Sequence, residues 1–335
     1  MSQNQNSALW FVDRHIEEGR DNKIAFKEGS GAKRTLTYGD LSRGSATVAG
    51  AMDRAGLHRE ERAVMLVLDQ IEFPLIFWGA IKSGVVPIPL NTLLSTSVYE
   101  AILRDSRAAA VFVSQELLAE VLPAAQAVDT VRKIVVIGGP APEGCQTYDD
   151  FVAGAPAQSA VSCKSDECAF WLYSSGSTGA PKGVRHAHGS MKATCDSFGS
   201  QVLGIAETDI AFSAAKLFFA YGLGNGLSFP LAVGATVILF GGRPTPDSVS
   251  DILEAEKPTV FYAVPTLFAS LLHKWETEGK HPDAPLRVAT SAGEALPAEI
   301  GKRWQALWGI DILDGVGSTE MLHIFLSNQI GRAHV

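Results

Sequence analysis

Cysteine is scarce in this sequence, and its cysteines form no pattern typical of a metal site or a disulfide framework. The 335 residues contain four of them: Cys145, Cys163, Cys168 and Cys195. None belongs to a C-x-x-C pair, and no histidines accompany them at a zinc-ligand spacing. A chain of this length buries about 75% of its unfolded surface, so it needs no staple of either kind. We therefore expect free thiols and a reducing compartment, the cytoplasm.

Positive charge is also in short supply. The chain has 28 Lys and Arg against 36 Asp and Glu, which gives a net charge of −8. This balance disfavours nucleic acid or an anionic membrane surface as the main partner. Residues 1–6 contain no basic stretch followed by an apolar core, so no secretory signal is visible. Because 46% of the residues are hydrophobic, the sequence indicates a folded chain and not a disordered one.

Charge is absent altogether from residues 217–242, a run long enough to cross a bilayer. The run contains residues that suit a continuous helix poorly, namely Gly222, Gly224, Asn225, Gly226, Pro230 and Gly234. The flanking Lys216 and Arg243 show no one-sided charge bias. A buried globular segment is therefore the preferred interpretation, and a transmembrane helix is the alternative.

Short apolar runs alternate with helical patterns along the chain. Strands are predicted at 63–68, 85–90, 109–113, 133–137, 169–173, 236–240, 259–263, 286–291 and 311–314. Helices are predicted at 73–83, 97–105, 115–122, from about 186, and at 247–256, 265–278 and 297–308. This alternation predicts an α/β fold with two mostly parallel sheets flanked by helices. Loop-rich stretches at 138–144 and 153–162 predict two α/β subdomains, 1–160 and 161–329.

The strongest motif spans residues 173–184 and reads YSSGSTGAPKGV. It follows a predicted strand and precedes a predicted helix. Its three glycines permit tight turns, its hydroxyl side chains offer donors and Lys182 supplies a positive charge, so the loop suits a polyphosphate. A flexible Ser/Gly linker is the alternative, and the Pro-Lys-Gly ending disfavours it. The loop is not a Walker A motif, because Pro181 and Gly183 flank the lysine.

This motif, with His188 six residues after the lysine, resembles the signature of the adenylate-forming enzymes. That family includes acyl-CoA and aryl-CoA synthetases, adenylation domains of peptide synthetases and beetle luciferases. SAGEALP at 291–297 resembles the loop whose backbone lines the adenine pocket, and DGVGSTE at 314–320 resembles the loop that ends in a Thr-Glu pair. The resemblance implies the large N-terminal domain of such an enzyme. His186 and His188 are interpreted as residues at the start of a helix and not as metal ligands.

The resemblance also implies a reaction. The carboxylate of a substrate attacks the α-phosphate of ATP and releases pyrophosphate, which requires charge neutralisation and alignment of two anions. Lys182, Thr319 and Glu320 would be the catalytic residues, with Lys182 on the outer phosphates and Thr319 on the α-phosphate. Glu320 and Thr178 would bind Mg²⁺, a cation that prefers oxygen ligands; an ordinary surface carboxylate is the alternative for Glu320. The implied nucleotide-binding residues are Ser174, Ser175, Gly176, Ser177, Thr178, Gly179, Lys182, Gly293, Glu294, Ala295, Asp314, Gly315 and Thr319.

Two stretches resemble the benzoate-CoA ligase branch of the family, including 4-hydroxybenzoate-type ligases. KLFFAYGLGNG at 216–226 has Phe219 where many relatives carry histidine, and MLHIF at 321–325 follows the Thr-Glu pair. By this resemblance a flat, short pocket for an aromatic carboxylate is lined by Ala220, Tyr221, Gly222, Gly317, His323 and Ile324. His323 would hydrogen-bond a ring substituent or the carboxylate. Val316 stands where many relatives have the Tyr or Trp that packs on adenine.

The family pattern implies more chain than follows Glu320. A ribose-binding aspartate, a hinge and a small C-terminal domain are expected, and residues 321–335 are all that remain. CoA would attack the acyl-adenylate only after that domain rotates. We therefore expect a truncated ligase that is inactive alone. Residues 330–335, IGRAHV, are what ATC GGA AGA GCA CAC GTC would encode, which resembles the start of a common sequencing adapter, so a non-native tail is expected.

Three functions stay open at this point. ATP-dependent ligation of an aromatic carboxylate to CoA leads, with another acyl-CoA synthetase or an adenylation domain as its near variants. A phosphate-loop NTPase or kinase is the second, and it would release ADP and phosphate in place of AMP and pyrophosphate. A module that binds nucleotide or aryl acid without turnover is the third. The ring substituents and the oligomeric state, with a homodimer among the options, are not determined by the sequence.

Overall fold

A computed structural model describes residues 4–174 and 181–328. These residues form two compact units. The first contains the described residues up to Lys23 and those between Thr37 and Ser190, and the second contains Ile24–Leu36 and the described residues from Met191 onward. The boundary predicted from the sequence lies at 160/161, whereas the second compact unit takes residues 24–36 and those from Met191 onward.

Strands and helices alternate along most of the chain, as the α/β prediction requires. The strands are β1 (Ile24–Glu28), β2 (Thr35–Thr37), β3 (Arg62–Leu66), β4 (Val86–Pro89), β5 (Ala108–Ser114), β6 (Lys133–Ile137), β7 (Gln146–Thr147), β8 (Cys168–Ser174), β9 (Lys182–Ala187), β10 (Ile210–Ser213), β11 (Thr236–Leu239), β12 (Val260–Ala263), β13 (Val288–Ala292), β14 (Ile312–Gly317) and β15 (Ile324–Ser327). The helices are α1 (Arg14–Glu17), α2 (Tyr38–Arg54), α3 (Glu72–Ser83), α4 (Thr96–Ser106), α5 (Leu118–Gln126), α6 (Tyr148–Val152), α7 (His188–Thr194), α8 (Ala220–Leu223), α9 (Phe229–Val233), α10 (Pro246–Glu256), α11 (Pro265–Glu278) and α12 (Ala298–Trp308).

The first unit is built on a five-stranded sheet in the order β4-β3-β5-β6-β7, with every pair parallel. All seven residues of β5 are buried, which explains why its sequence is a continuous apolar run. Helix α2 begins at a capping box, in which the Thr37 side chain accepts a hydrogen bond from the Asp40 backbone N–H and the Asp40 carboxylate accepts one from the Thr37 backbone N–H. The parallel sheet predicted for this part of the chain is confirmed.

An antiparallel hairpin of β8 and β9 also belongs to the first unit. Its strand β8 lies beside β4, so the compact unit extends to Ser190. The helix predicted from about residue 186 begins at His188, but His186 is not at its start, because it lies in β9. Strand β9 is largely exposed and lacks an apolar run, so its sequence gives no strand signal. His188 starts α7, as expected.

The second unit is built on an eight-stranded sheet in the order β15-β14-β13-β12-β10-β11-β1-β2. In this order, each neighbouring pair from β14 to β1 is parallel. Strand β15 is antiparallel to β14. One face is covered by α10, α11 and α12, where Trp304 stacks with Phe261 and meets Phe268 edge-on. Strand β1 pairs with β11, so residues 24–36 belong to this unit although they lie early in the sequence.

The charge-free run 217–242 contributes buried elements to the second unit. It forms α8, a turn of π-helix at Gly224–Ser228, α9 and β11. Most of its side chains are buried, in agreement with the preferred interpretation. Within residues 4–174 and 181–328, none of the helices combines the length and the apolar character needed to cross a bilayer.

Candidate active site

Two of the loops singled out in the sequence lie side by side at the carboxyl ends of neighbouring parallel strands. In the β13–β14 pair, Ser291 is opposite Asp314 and Ala292 is opposite Gly315. The loop 291–297 therefore leaves the sheet next to the strand that carries residues 314–317. Ligands of open α/β sheets bind at this edge, outside the carboxyl ends of the strands. The register thus brings the two predicted nucleotide loops together.

The first of these loops begins with a glycine in a conformation that other residues rarely adopt. Gly293 has a φ of +95°. Gly293, Glu294 and Ala295 are exposed, and the Leu296 backbone N–H lies 3.4 Å from Asp314 Oδ2. The other carboxylate oxygen of Asp314, Oδ1, is buried and has no hydrogen-bond partner among the residues that the structure describes. A buried acceptor of this kind is costly unless a ligand donates to it.

The Thr-Glu pair lies in the turn between β14 and β15. Thr319 is half-buried and Glu320 is exposed. The turn is held by hydrogen bonds from the Met321 N–H to Ser318 Oγ, 3.1 Å, and from the Leu322 N–H to the Thr319 carbonyl, 3.2 Å. In the described residues no group of three or more Asp, Glu, His or Cys side chains is arranged to hold a metal ion. Glu320 is therefore a single carboxylate at an accessible turn.

His323 is enclosed by aromatic rings just before β15. The side chain is 2% exposed. The ring centroids of Phe198, Tyr221 and Phe229 lie 5.1, 5.4 and 4.4 Å from its own. A Cβ atom at Gly224 would come within 2.3 Å of His323 Cδ2, so only glycine leaves room for the ring. The glycine-rich sequence of the segment thus has a packing cause.

The imidazole of His323 is neutral near pH 7. Burial lowers the pKa of His323 to about 3, and the backbone of Tyr221 opposes this with a smaller effect. Nε2 lies 2.9 Å from Oδ1 of Asn225 and, with the amide orientation assigned in the structure, donates its proton to that oxygen. Neither His323 Nδ1 nor Asn225 Nδ2 has a hydrogen-bond partner within the described part of the chain.

Tyr221 connects the predicted aryl pocket to the end of β13. Its hydroxyl lies 2.8 Å from the Thr290 carbonyl and 3.3 Å from the Ala263 carbonyl, and it donates to this pair. Burial raises the pKa of Tyr221 well above its ordinary value, so the phenol stays protonated. Thr290 immediately precedes the loop 291–297. One hydrogen bond therefore fixes the tyrosine relative to the first nucleotide loop.

The other residues predicted to line the pocket lie on the same two segments. Ala220 and Gly222 are buried on either side of Tyr221, and a Cβ at Gly222 would come within 2.0 Å of the Lys216 carbonyl. Gly317 is paired with Ile324 across the β14–β15 ladder. A side chain at 317 would collide with the His323 backbone, 2.7 Å away. The structure thus gathers the predicted aryl-pocket residues within the second unit.

The phosphate motif belongs to the first unit, at the β8–β9 hairpin. Ser174 ends β8 and is opposite Lys182, the first residue of β9. Lys182 is exposed. The remaining predicted phosphate-binding residues lie outside the described residues. They are Ser175, Gly176, Ser177, Thr178 and Gly179. Tyr173, which precedes them, donates a hydrogen bond to Asp105 at the end of α4.

Four residues around the ring of His323 are absent from the residues predicted from the sequence. They are Phe198, Gly224, Asn225 and Phe229, which surround the His323 ring. A usable signal existed for one of them. Asn225 is the only amide in the uncharged run 217–242, and a buried amide in an apolar segment needs a polar partner.

The chain matches the AMP-binding enzyme family over residues 12–334, and it belongs to that family. It is 47% identical over 98% of its length to a benzoate–CoA ligase of Thauera aromatica. It is 43% identical over 96% of its length to a 4-hydroxybenzoate–CoA/benzoate–CoA ligase of Rhodopseudomonas palustris. The resemblance to benzoate-CoA ligases expected from residues 216–226 and 321–325 is confirmed.

Solved structures agree with this assignment of the fold. A benzoate CoA ligase from Burkholderia xenovorans LB400 superimposes with a TM-score of 0.87 at 43% identity, over 97% of this chain and 63% of that one. An anthranilate CoA ligase in complex with anthranoyl-AMP superimposes with a TM-score of 0.91 at 36% identity, over 97% of this chain and 62% of that one. The chain spans 62% and 59% of the lengths of the two relatives named above.

Proposed function

We propose that the protein is an ATP-dependent aryl-CoA ligase that activates benzoate or a closely related aromatic carboxylate. In this reaction the carboxylate and ATP form an aryl-adenylate and pyrophosphate, and CoA then takes the acyl group and releases AMP. The observation that carries the proposal is the enclosure of His323 by Phe198, Tyr221 and Phe229, in a chain similar to benzoate-CoA ligases. A site for a flat ring is mostly apolar, and the side chains around His323 are aromatic.

The polar groups at the strand ends support a role for ATP. Asp314 Oδ1 is a buried acceptor that lacks a partner in the described residues, and the exocyclic amine of adenine is a donor that fits it. Val316 is 58% exposed next to it and offers an apolar face for the base. We propose that Gly293, Glu294 and Ala295 line the same subsite with their backbone. Gly315 makes room for Ile324, since a Cβ there would come within 2.5 Å of that side chain.

The proposed phosphate contacts come from the motif 173–184 and from the loop 314–320. Lys182 would neutralise the outer phosphates together with Ser174 and the hydroxyls of 175–178, and Thr319 would hydrogen-bond the α-phosphate. Exposed Lys182 pays no desolvation penalty in the free protein and stays available to a polyanion. Stabilising the negative charge on the oxygens of the attacked phosphate is usually the largest part of such catalysis.

We propose that Mg²⁺ binds together with the phosphates of ATP. Mg²⁺ is usually held by one or two carboxylates together with substrate phosphates. One exposed carboxylate, Glu320, at the turn after Thr319 fits that donor set, and Thr178 would assist it. The ion would neutralise phosphate charge, while Glu320 keeps it beside the α-phosphate.

We also propose a cytoplasmic location, supported by four free cysteines.

A panel of carboxylates tests the proposed function. The protein is incubated with ATP, Mg²⁺, CoA and each acid, and both AMP and ADP are quantified. We expect AMP with benzoate and small ring-substituted benzoates, and none above background with hexadecanoate. ADP as the product would indicate a kinase or an NTPase and would overturn the proposal. Equal turnover of long-chain acids would overturn the aryl specificity.

A further inference from the structure

A cavity of about 410 Å³ lies against the β8–β9 hairpin of the first unit. It is lined by Asp105, Trp171, Pro181, Lys182, Gly183 and Arg185. Asp105 belongs to α4, and the other five residues belong to the hairpin or directly precede β9. The cavity therefore adjoins the end of the phosphate motif 173–184 and extends to Arg185, which lies one residue beyond that motif.

The lining of this cavity has an excess of positive charge. Lys182 and Arg185 are exposed, and neither forms an ion pair with a carboxylate among the described residues. The residues that the structure does not describe include no Asp or Glu side chain. The one carboxylate in the lining, Asp105, accepts a hydrogen bond from the Tyr173 hydroxyl at 2.5 Å. Two cations against one carboxylate favour an anionic ligand.

Aromatic rings lie close to the hairpin backbone beside these cations. Arg185 is opposite Trp171, and Gly183 is opposite Tyr173. A Cβ at Gly183 would lie 3.2 Å from Trp171 Cε3 and 3.2 Å from Tyr173 Cζ. The Nε1–H group of Trp171 is donated to Cys168 Sγ, 3.2 Å away. The positively charged side chains are therefore the groups of the lining that suit an anion.

Lys182 and Arg185 can contact neighbouring phosphate groups of one ligand. They are three residues apart on β9, so their Cα atoms are separated by about 10 Å, at about 3.3 Å per residue. Both have long side chains, and both line the same cavity. A guanidinium group binds two phosphate oxygens at once, whereas an ammonium group acts as a point charge. This pair of cations therefore suits a ligand with two linked phosphates.

We propose that this cavity binds pyrophosphate, both as the β- and γ-phosphates of ATP and as the product that leaves when the bond between the α- and β-phosphates breaks. Arg185 is then a phosphate-binding residue beside Lys182, and it neutralises charge on the leaving group. This inference rests on the proposed function for its place in the reaction, but the affinity of the cavity for pyrophosphate does not. CoA also carries phosphate groups and is the other source of the same chemistry.

Calorimetry on the 335-residue chain tests the proposal. Inorganic pyrophosphate, ATP, AMP and CoA are titrated separately in the presence of Mg²⁺. We expect Arg185→Gln to weaken the binding of pyrophosphate and of ATP about tenfold. The affinity for AMP should not change, because AMP lacks the β- and γ-phosphates, and the affinity for CoA should not change either. Arg185→Lys keeps the charge but loses the bidentate contact, so a loss of about threefold is expected.

Arg43→Gln is the matched control, because it removes the same charge from an exposed side chain on α2 of the first unit. It should change the pyrophosphate affinity by less than about twofold. Pyrophosphate affinity that is undetectable, or equal in Arg185→Gln and the unsubstituted chain, would overturn the proposal. An equal loss for AMP and ATP, or a loss for CoA alone, would overturn it as well.

The outcome for the cavity is separable from the outcome for the proposed function. Pyrophosphate binding that depends on Arg185, in a protein that forms no AMP with any aromatic carboxylate, would count against the proposed reaction and would support the cavity. AMP formation from benzoate, with the same affinity for pyrophosphate in Arg185→Gln as in the unsubstituted chain, would support the reaction and overturn the role of Arg185.

Discussion

Glycine 224 shows how a single residue makes room for a neighbouring side chain. Its backbone lies in the right-handed helical region, so its conformation would accept alanine. The obstacle is the ring of His323, 2.3 Å from where a Cβ would stand. The glycine is needed for a neighbour and not for its own backbone.

Gly224→Ala should therefore displace His323. We expect a loss of about 2 kcal/mol in the free energy of unfolding, from overpacking, measured by urea denaturation. Gly301→Ala is the matched control, since its nearest neighbour would be 3.8 Å away and it lies within α12. That change should be neutral or stabilise by up to about 1 kcal/mol. Equal effects of the two substitutions would show that the ring does not constrain position 224.

Lys182→Ala should weaken ATP binding and leave benzoate binding intact. The lysine is exposed at the start of β9, so its removal costs little stability but takes away a charge from the proposed phosphate site. We expect roughly a tenfold loss of ATP affinity in calorimetry. The exposed Lys302 on α12 supplies the control, because Lys302→Ala removes the same charge outside the motifs. Unchanged ATP affinity in Lys182→Ala would contradict the assignment.

At the scale of elements, one buried carboxylate connects three central strands of the second unit at their amino ends. Asp209 precedes β10 and is 3% exposed. It accepts hydrogen bonds from Thr259 Oγ1, the Ala206 backbone and Arg287 Nε, each 2.8 Å. Burial alone would raise the pKa of Asp209, but these hydrogen bonds outweigh it, so the pKa is lowered. Strands β10, β12 and β13 are thereby connected.

The stability contributed by Asp209 should depend on pH. Because its folded pKa is lowered, the contribution is fully present above the unfolded value of about 3.9 and is lost as pH falls through the folded value. Asp209→Asn should lose about 3 kcal/mol at pH 7 in urea denaturation, and the difference should shrink below about pH 4. Glu276→Gln breaks an exposed pair with Arg303 and should change stability by less than about 1 kcal/mol. A pH-independent loss in Asp209→Asn would contradict the account.

Local patterns predicted the elements that have strong local signals. Strand β6 and helix α11 occur at the predicted residues, because their apolar runs and end signals are contiguous. Helix α2 is absent from the predicted elements since Gly and Ser interrupt its apolar face, and tertiary packing against α3 overrides that weakness. Strand β10 has only four residues between loops. Its place in the sheet comes from pairing with β11 and β12, which are distant in sequence.

The candidate site likewise has one part that local sequence predicts and another part that only the whole fold explains. Loops 291–297 and 314–320 are contiguous motifs, so sequence alone identified them, and the parallel register of β13 and β14 brings them together. The side chains around His323 belong to Phe198, Asn225 and Phe229. Phe198 precedes His323 by 125 residues in the sequence. Contacts at that separation follow from the whole fold and from no local pattern.

At the scale of the molecule, the chain is an AMP-binding enzyme family member that spans 62% of the length of a benzoate–CoA ligase of Thauera aromatica. Its second unit contains the predicted aryl pocket and both strand-end loops. The first contains the described ends of the phosphate motif, Ser174 and Lys182. We propose that these parts serve one reaction, the activation of an aromatic carboxylate by ATP.

Trapping the acyl intermediate tests that claim most directly. The protein is mixed with ATP, Mg²⁺ and isotopically labelled benzoate without CoA, and the quenched mixture is separated by chromatography. We predict benzoyl-adenylate and pyrophosphate in equal amounts, with both greatly reduced in Glu320→Gln. Formation of ADP and phosphate, or of pyrophosphate that does not depend on benzoate, would contradict it.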